Sequence, residues 1–110
     1  MNEPLPPATF LILFALASGE KHGYAIMREA RALSDGGFDM GPATLYTTIR
    51  RLLDAGWIEE VSGPEGADVR RRYYGLTGKG ASALHTEVER MRSIVKKAKA
   101  LGLPSAEFLS

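Results

Sequence analysis

Residues 41–56 read GPATLYTTIRRLLDAG, and this stretch decides the fold. Gly41 and Pro42 favour the start of a helix, and Gly56 is typical of a helix end. At about 100° per residue, the apolar side chains fall on one face of the predicted helix: Leu45, Ile49, Leu52 and Leu53. The opposite face carries Ala43, Thr47, Arg50, Arg51 and Asp54, with Thr44 and Tyr46 at its margins. One face of this helix is therefore expected to pack and the other to remain free.

Two predicted helices precede this stretch, at residues 7–18 and 22–33. The first is apolar on every side, so we expect it to be covered on two faces, one by its own domain and the other by a second chain or the C-terminal helix. Its apolar run, residues 10–17, is much shorter than the about 20 residues that cross a bilayer. No Lys or Arg precedes the run, as one would in a secretory signal. The sequence therefore predicts no membrane association.

Two short strands are predicted next, at residues 57–61 and 70–76, with a polar, glycine-containing loop between them. Together they form a β-hairpin that must lean on the helices. Strand alternation places Arg70, Arg72, Tyr74 and Leu76 on one side and Arg71 and Tyr73 on the other. Because Leu76 is apolar, we expect the Tyr74 side to face the core, which leaves Arg71 free to project.

A long helix is predicted from Thr77, which can cap it, to about residue 102. Its apolar side chains step by three and four residues and form a heptad seam: Ala81, Leu84, Val88, Met91, Val95 and Ala98. Such a seam packs either on its own core or on a partner helix. The compact part of the chain has little surface left to cover so long a helix, so we expect pairing with a second copy.

Composition limits what else the chain can do. It has 110 residues, of which 45% are hydrophobic, a net charge of +1, no cysteine and two histidines. A chain of this size forms one domain with little room for an enclosed active site. His22 and His85 are too far apart in sequence to suggest a metal site, and we expect His22 to cap or orient the second helix. The sequence predicts no enzyme activity, no metal and no cofactor.

Three helices, a hairpin and a long helix follow the plan of a winged helix-turn-helix domain, mostly α with a small β-hairpin (α+β). A helix about 10–12 Å wide fits the major groove of DNA, and the hairpin arginines can hold phosphates or enter a minor groove. The predicted DNA-binding residues are Ala43, Thr44, Tyr46, Thr47, Arg50, Arg51, Arg70, Arg71 and Arg72. The chain would then divide into a DNA-binding domain at residues 1–76 and a C-terminal dimerisation helix with a tail at residues 77–110.

Other interpretations of these surfaces remain open. The polar face of the third helix can be an ordinary solvated face, and the hairpin arginines can pair with Glu59 and Glu60 across the strands. Residues 41–76 carry five basic and five acidic side chains, which favours the main alternative, a winged-helix protein-interaction module without DNA binding. The second alternative is a small-molecule-binding protein or enzyme that uses a dimer cleft, for which the sequence offers no convergent polar set.

A set of residues spread over the chain carries a family resemblance. They are Leu11, Ile12, Leu13, Gly19, His22, Gly23, Tyr24, Ala43, Thr44, Leu45, Tyr46, Arg51, Leu52, Gly56, Ile58, the run RRRYYGLT at residues 70–77, and Gly80. With them the chain resembles the PadR family of bacterial transcriptional regulators over about residues 8–90, in the subgroup with a single C-terminal helix.

The resemblance implies a homodimeric winged helix-turn-helix repressor that binds a palindromic operator in double-stranded DNA. It also implies a bacterial cytoplasmic protein, associated with the nucleoid when bound to DNA. Members of the family are often released from DNA by a small aromatic or drug-like effector near the dimer interface. The tyrosines of the HGY and YY motifs would have largely structural roles.

The dimer and effector residues are predicted from the heptad seam, the first helix and the resemblance. The predicted dimer interface consists of Phe10, Phe14, Leu84, Val88, Met91, Val95 and Ala98. An apolar effector cleft can be lined by Phe14, Val88 and Met91, although core packing is the alternative for them. Some family members stack ligands on a tryptophan of the last helix. Trp57, the single tryptophan here, belongs to the first strand of the hairpin, and the resemblance does not extend to a pocket of that kind.

Overall fold

The computed structural model describes residues 3–103 of the chain. Its elements are α1 (Pro7–Ala17), β1 (Lys21–His22), α2 (Gly23–Leu33), α3 (Pro42–Ala55), β2 (Ile58–Val61), β3 (Tyr73–Leu76) and α4 (Gly78–Ala100). Helices with a small antiparallel sheet confirm the predicted α+β fold class. Residues 104–110 of the predicted C-terminal tail lie outside the described residues.

The helices begin and end close to where the sequence predicts, because each boundary has a local cause. Gly56 ends α3 with a φ of +76°, a left-handed conformation that favours glycine. Thr77 caps α4, since its Oγ1 accepts a hydrogen bond from the Gly80 N–H at 3.0 Å. The cap predicted at His22 is confirmed: its Nδ1 accepts from the Ala25 N–H at 3.2 Å at the start of α2.

The first helix, α1, lies at the centre of the fold. Its Ile12, Leu13 and Ala15 are fully buried, and it packs against α2, α3, α4 and β3. Burying a large aliphatic side chain contributes about 1.5–3 kcal/mol, so α1 is a main source of stability. The expected cover on a second face comes in part from α4. Phe14 nevertheless stays 39% exposed, with its ring 5.6 Å from that of Phe10.

The sheet has three strands in the order β1-β3-β2, all antiparallel. Ile58 pairs with Leu76 and Val61 with Tyr73, which forms the predicted hairpin. The strand β1 was not predicted from the sequence. Its two residues, Lys21 and His22, pair with Tyr74 and Tyr73 of β3. So short a strand has no sequence signal of its own and exists only through this pairing. It ties the hairpin to the start of α2.

The second strand of the hairpin is shorter than predicted. Residues 70–72 were expected in the strand, but β3 begins at Tyr73. The reason is a turn around Asp68, whose carbonyl accepts from the Arg71 N–H at 3.0 Å and whose Oδ1 accepts from the Arg70 N–H at 2.9 Å. The strand alternation predicted for Arg70 and Arg71 therefore does not apply. The alternation holds for Tyr74, which is buried as expected.

The last helix, α4, packs on the domain with its first half and leaves it with its second. Leu84 is in the core, and Glu87 is also buried, where it accepts hydrogen bonds from the Leu5 N–H at 3.4 Å and from Arg90 Nε at 3.2 Å. Further along, Ile94 and Val95 are 52% and 51% exposed. The molecule measures 52 × 33 × 25 Å, because the helix extends beyond the core.

Two glycines in the first turn of α4 test the close approach of this helix to the residue that precedes β2. A Cβ at Gly80 would overlap the carbonyl oxygen of Trp57, whereas a Cβ at Gly78 would meet nothing within 4 Å. We expect Gly80→Ala to lower the free energy of unfolding by about 1–3 kcal/mol, as overpacking does. Gly78→Ala should change it by less than about 1 kcal/mol. Urea unfolding of both variants checks this, and equal effects would contradict the packing described.

Candidate nucleic-acid interface

The outward face of α3 is a continuous exposed surface. Leu45, Ile49 and Leu52 are 0–3% exposed and hold the helix against the domain, while Leu53 is half-buried. All six residues predicted on α3 are exposed: Ala43, Thr44, Tyr46, Thr47, Arg50 and Arg51. The side chains near the start of this face are small, so the helix backbone can approach another surface closely there.

Tyr46 lies at the edge of that face, next to the start of α2. A Cβ built on Gly23 would stand 2.6 Å from the Tyr46 hydroxyl, so the absence of a side chain at Gly23 allows the two helices to approach there. The Tyr46 side chain is still 52% exposed. It therefore contributes both to packing between α2 and α3 and to the outer surface.

A groove joins the start of α2, the side of α3 and the base of the hairpin. Its volume is about 330 Å³, and it is lined by His22, Gly23, Tyr24, Tyr46, Arg70, Arg71, Arg72 and Tyr74. The three hairpin arginines predicted as DNA-binding thus share a groove with Tyr46 of α3. Arg28 of α2 lies beside the groove, with its guanidinium 5.7 Å from the centre of the Tyr24 ring.

Two of the hairpin arginines are held by acidic side chains. Arg70 makes a two-pronged contact with Asp68, Nε to Oδ1 at 3.2 Å and Nη2 to Oδ2 at 3.0 Å. These hydrogen bonds lower the pKa of the Asp68 carboxyl. Arg72 lies 3.6 Å from Glu60, the cross-strand pairing that the sequence left open as an alternative. The Arg70 and Arg72 side chains are 87% and 74% exposed, and exposed pairs of this kind are worth about 0–1 kcal/mol.

The third arginine, Arg71, contacts His22 instead of an acid. Its Nη1 lies 2.9 Å from His22 Nε2, across 49 positions of sequence, and the ring of Tyr73 stands edge-on to the imidazole at 5.4 Å. This neighbour is not evident from the sequence, because the contact arises from the pairing of β1 with β3. Sequence reasoning assigned His22 only to the cap.

Both ring nitrogens of His22 are engaged. Nδ1 lies 3.2 Å from the Ala25 nitrogen, and Nε2 lies 2.9 Å from Arg71 Nη1. A neutral imidazole can accept only one of these two hydrogen bonds, because its other nitrogen carries the proton.

The surroundings of His22 disfavour protonation of its imidazole. Partial burial, then the positive charges of Arg71 and Arg28, lower its pKa below the ordinary value of 6.5. Neutrality is also what the cap needs, since a protonated imidazole has no acceptor.

The predicted dimer and effector residues lie on α1 and α4. Phe14 and Met91 are 39% and 38% exposed, Val88 packs partly on the core, and Leu84 is buried in the core of its own chain. Of the remaining predicted interface residues, Val95 is exposed and Phe10 and Ala98 are half-buried. Whether a second chain covers this surface stays a prediction, as does an effector cleft there.

Within residues 3–103, no group of three or more His, Asp and Glu side chains is placed to hold a metal ion. Nor does any helix there combine the length and the apolar character needed to cross a membrane.

The lowered pKa of His22 predicts how stability responds to acid. The unfolded chain takes up a proton at His22 near pH 6.5, while the folded chain resists it, so the unfolded state binds more protons as the pH falls. The stability contributed by neutral His22 is therefore complete above pH 6.5 and is lost as the pH falls through the folded-state pKa. Asn in place of His22 keeps a cap but does not titrate. Between about pH 7.5 and pH 5.5, we expect the free energy of unfolding, measured with urea, to fall less for the His22→Asn variant than for the parent chain. An identical fall in both proteins would contradict the neutral cap.

Comparison with known proteins agrees with this geometry. A model of the PadR-like family of transcriptional regulators matches residues 12–86. No curated protein sequence matches the chain at a significant level.

Three solved structures share the fold. A transcriptional regulator from Clostridium thermocellum is 28% identical, with a TM-score of 0.67, and the match covers 87% of this chain and 92% of that one. Bacillus subtilis PadR in complex with operator DNA is 24% identical, with a TM-score of 0.66 over 78% of this chain and 48% of that one. Bordetella bronchiseptica BpsR, whose DNA binding is regulated by 6-hydroxynicotinic acid, is 23% identical, with a TM-score of 0.70 over 98% of this chain and 76% of that one.

The family model spans well over half of the chain. It covers α2, α3 and both hairpin strands in full, together with the start of α4. The resemblance noted in the sequence is thus confirmed: the chain belongs to the PadR-like family of transcriptional regulators.

Proposed function

We propose that this chain is a sequence-specific DNA-binding regulator that acts as a homodimeric repressor. In this proposal α3 enters the major groove and the hairpin, as a wing, holds the DNA backbone. The observation that carries the proposal is the outward face of α3, on which Thr44, Thr47 and Arg50 are exposed while the opposite face packs on the domain. The DNA complex of Bacillus subtilis PadR, which shares the fold, supports it.

The chemistry of the α3 face fits base reading. Ala43, Thr44 and Thr47 are short, which lets the backbone come close to base edges, and a threonine can bond a base and touch a thymine methyl. Arg50 and Arg51 follow about one turn later, where a guanidinium can reach guanine or a flanking phosphate.

The ion pairs of the wing do not argue against this function. Arg70 and Arg72 face Asp68 and Glu60 through exposed contacts, and such pairs contribute little in water. A DNA phosphate accepts charge-assisted hydrogen bonds from arginine as a carboxylate does, so it can replace these weak, exposed contacts.

A homodimer is proposed from the exposed apolar residues of α1 and α4. Phe14, Met91, Ile94 and Val95 are 38–52% exposed on the side that a second copy would cover. Two-fold pairing places two α3 helices about 34 Å apart, one turn of DNA, which fits a palindromic operator. Residues 77–110 would then serve as the dimerisation segment, although the first half of α4 also packs on its own domain.

Control by an effector is the remaining part of the proposal. BpsR responds to 6-hydroxynicotinic acid, a small aromatic acid, and shares the fold. A cleft between copies, with Phe14, Val88 and Met91 in its walls, would suit a small aromatic molecule. A repressor of this kind acts where the genome is, in the cytoplasm.

Selection of bound fragments from the source genome, followed by gel-shift titration at several salt concentrations, tests the proposal. Binding that is specific and weakens with salt supports it. The alternative, a winged-helix module that contacts only proteins, predicts no salt-sensitive DNA binding; its support is the balance of charge over residues 41–76.

Base reading by α3 predicts a sequence-dependent loss. Thr47→Ala or Arg50→Ala should weaken binding to the selected operator by about 1–3 kcal/mol and binding to non-specific DNA by less. Arg92→Ala is the matched control, because Arg92 is also an exposed arginine but lies on α4, where it pairs with Glu89. If Arg50→Ala behaves like Arg92→Ala, Arg50 does not read the operator.

Phosphate binding by the wing predicts a loss of a different kind. Arg71→Ala should weaken binding to every sequence alike and reduce the slope of log K against log salt by about one unit, since one fewer counterion is released. The slope is measured by the same titration at three or more salt concentrations. An unchanged slope would remove Arg71 from the phosphate contacts.

A further inference from the structure

The acidic side chain that contacts Arg70 is also tied to the main chain of the loop between β2 and β3. Asp68 Oδ1 accepts the Arg70 N–H at 2.9 Å, and the Asp68 carbonyl oxygen accepts the Arg71 N–H at 3.0 Å. The first of these bonds, from a side chain to the backbone two residues later, defines an Asx turn. The Asp68 carboxylate therefore cannot move away from Arg70 without losing a hydrogen bond to the main chain.

The guanidinium of Arg70 lies on the same carboxylate. Its Nε donates to Asp68 Oδ1 at 3.2 Å, and its Nη2 donates to Asp68 Oδ2 at 3.0 Å. These side-chain hydrogen bonds, followed by the one from the Arg70 N–H, lower the pKa of the Asp68 carboxyl below its ordinary value, so Asp68 is ionised at neutral pH. Arg70 therefore presents a smaller effective charge to DNA than a free arginine would.

The three wing arginines differ in this respect. Arg72 also lies near an acid, Glu60, at 3.6 Å, whereas Arg71 contacts the imidazole of His22. In the described part of the chain, none of the ion pairs includes Arg71. The even balance of basic and acidic side chains over residues 41–76 thus has a local form in the wing, where two of three arginines have a carboxylate partner.

We propose that Asp68 is an internal counterion of the wing: its carboxylate lowers the affinity of Arg70 for DNA phosphates of any sequence. The inference rests on the proposed function, since it concerns how the wing meets DNA. A phosphate that contacts Arg70 also approaches a carboxylate that the loop backbone holds in place. Two anions at such short range repel each other, which offsets part of the attraction to the guanidinium.

This role limits the part of the affinity that carries no sequence information. Phosphate contacts supply most of non-specific binding, and a genome offers a large excess of non-specific sites. A wing with three uncompensated arginines would raise the affinity for all of those sites. Because Asp68 compensates Arg70, stable binding depends more on the contacts proposed for Thr47 and Arg50 of α3.

The variant Asp68→Asn tests the proposal, because an asparagine Oδ1 can still accept the Arg70 N–H while the negative charge is gone. At about 0.1 M salt we expect this variant to bind operator and non-specific DNA alike about three- to tenfold more tightly than the parent chain, as removal of one repulsive charge near a phosphate predicts. The slope of log K against log salt should become steeper by up to about one unit.

Glu65→Gln is the matched control. Glu65 is an exposed acid of the same loop and belongs to neither ion pair of the wing. Its replacement removes an equal charge without freeing an arginine, so the affinity and the salt slope should change clearly less. If Asp68→Asn gains no more than Glu65→Gln, the proposal is overturned, because pairing with Arg70 would then have no effect of its own.

Nitrogen-15 NMR of the arginine side chains gives a readout that does not depend on DNA. At mildly acidic pH, the Arg70 Nε–H of the parent chain should exchange slowly with water, since it is bonded to Asp68 Oδ1. Exchange should become faster in Asp68→Asn and stay slow in Glu65→Gln. Equal exchange in all three proteins would show that the pair does not form in solution and would overturn the inference. The backbone amide signals of the same spectra report whether the variants keep the fold.

The inference and the proposed function fail in different ways. If neither the parent chain nor Asp68→Asn binds DNA, the proposed function is refuted and the inference with it. If the parent chain binds its operator specifically and Asp68→Asn gains nothing over Glu65→Gln, only the inference is refuted.

Discussion

The packing of one face of α3 on the domain is the constraint on which the rest of the molecule depends. Leu45, Ile49 and Leu52 are buried, in part against α1, and this burial fixes the rotation of α3 about its own axis. Because that rotation is fixed, Thr47 and Arg50 face outward. The exposed face of α3 is thus a consequence of core packing, and the same aliphatic side chains that stabilise the fold also determine which residues are available for the proposed DNA contacts.

A second constraint joins the wing to the helices. The two-residue strand β1 comes directly before α2 and pairs with β3, so the hairpin cannot move far from the start of α2. This pairing brings Arg71 to His22 and places Arg70, Arg71 and Arg72 in one groove with Tyr46. The wing and α3 are therefore presented as one surface.

The sequence predicted the parts of this surface that have local causes. The ends of α3 depend on Pro42 and Gly56, and its exposed face depends on the helical period, so both could be derived from residues 41–56 alone. The contact of His22 with Arg71 could not, because it needs a strand of two residues that forms only through pairing with distant residues. The start of β3 was misplaced for a different reason: a local turn made by the Asp68 side chain competes with the strand preference of the residues that follow it. The dimer surface stays a prediction, because a single chain does not show what covers Phe14 and Val95.

The central claim is that two copies join and present two α3 helices to one face of DNA. Hydroxyl-radical footprinting of a selected genomic fragment, combined with sedimentation of the protein alone and of the complex, tests it most directly. The account predicts a dimer at micromolar concentration and two protected segments, centred about 10–10.5 base pairs apart on one face of the duplex. A monomer that protects a single segment, or a protein that protects none, would contradict it.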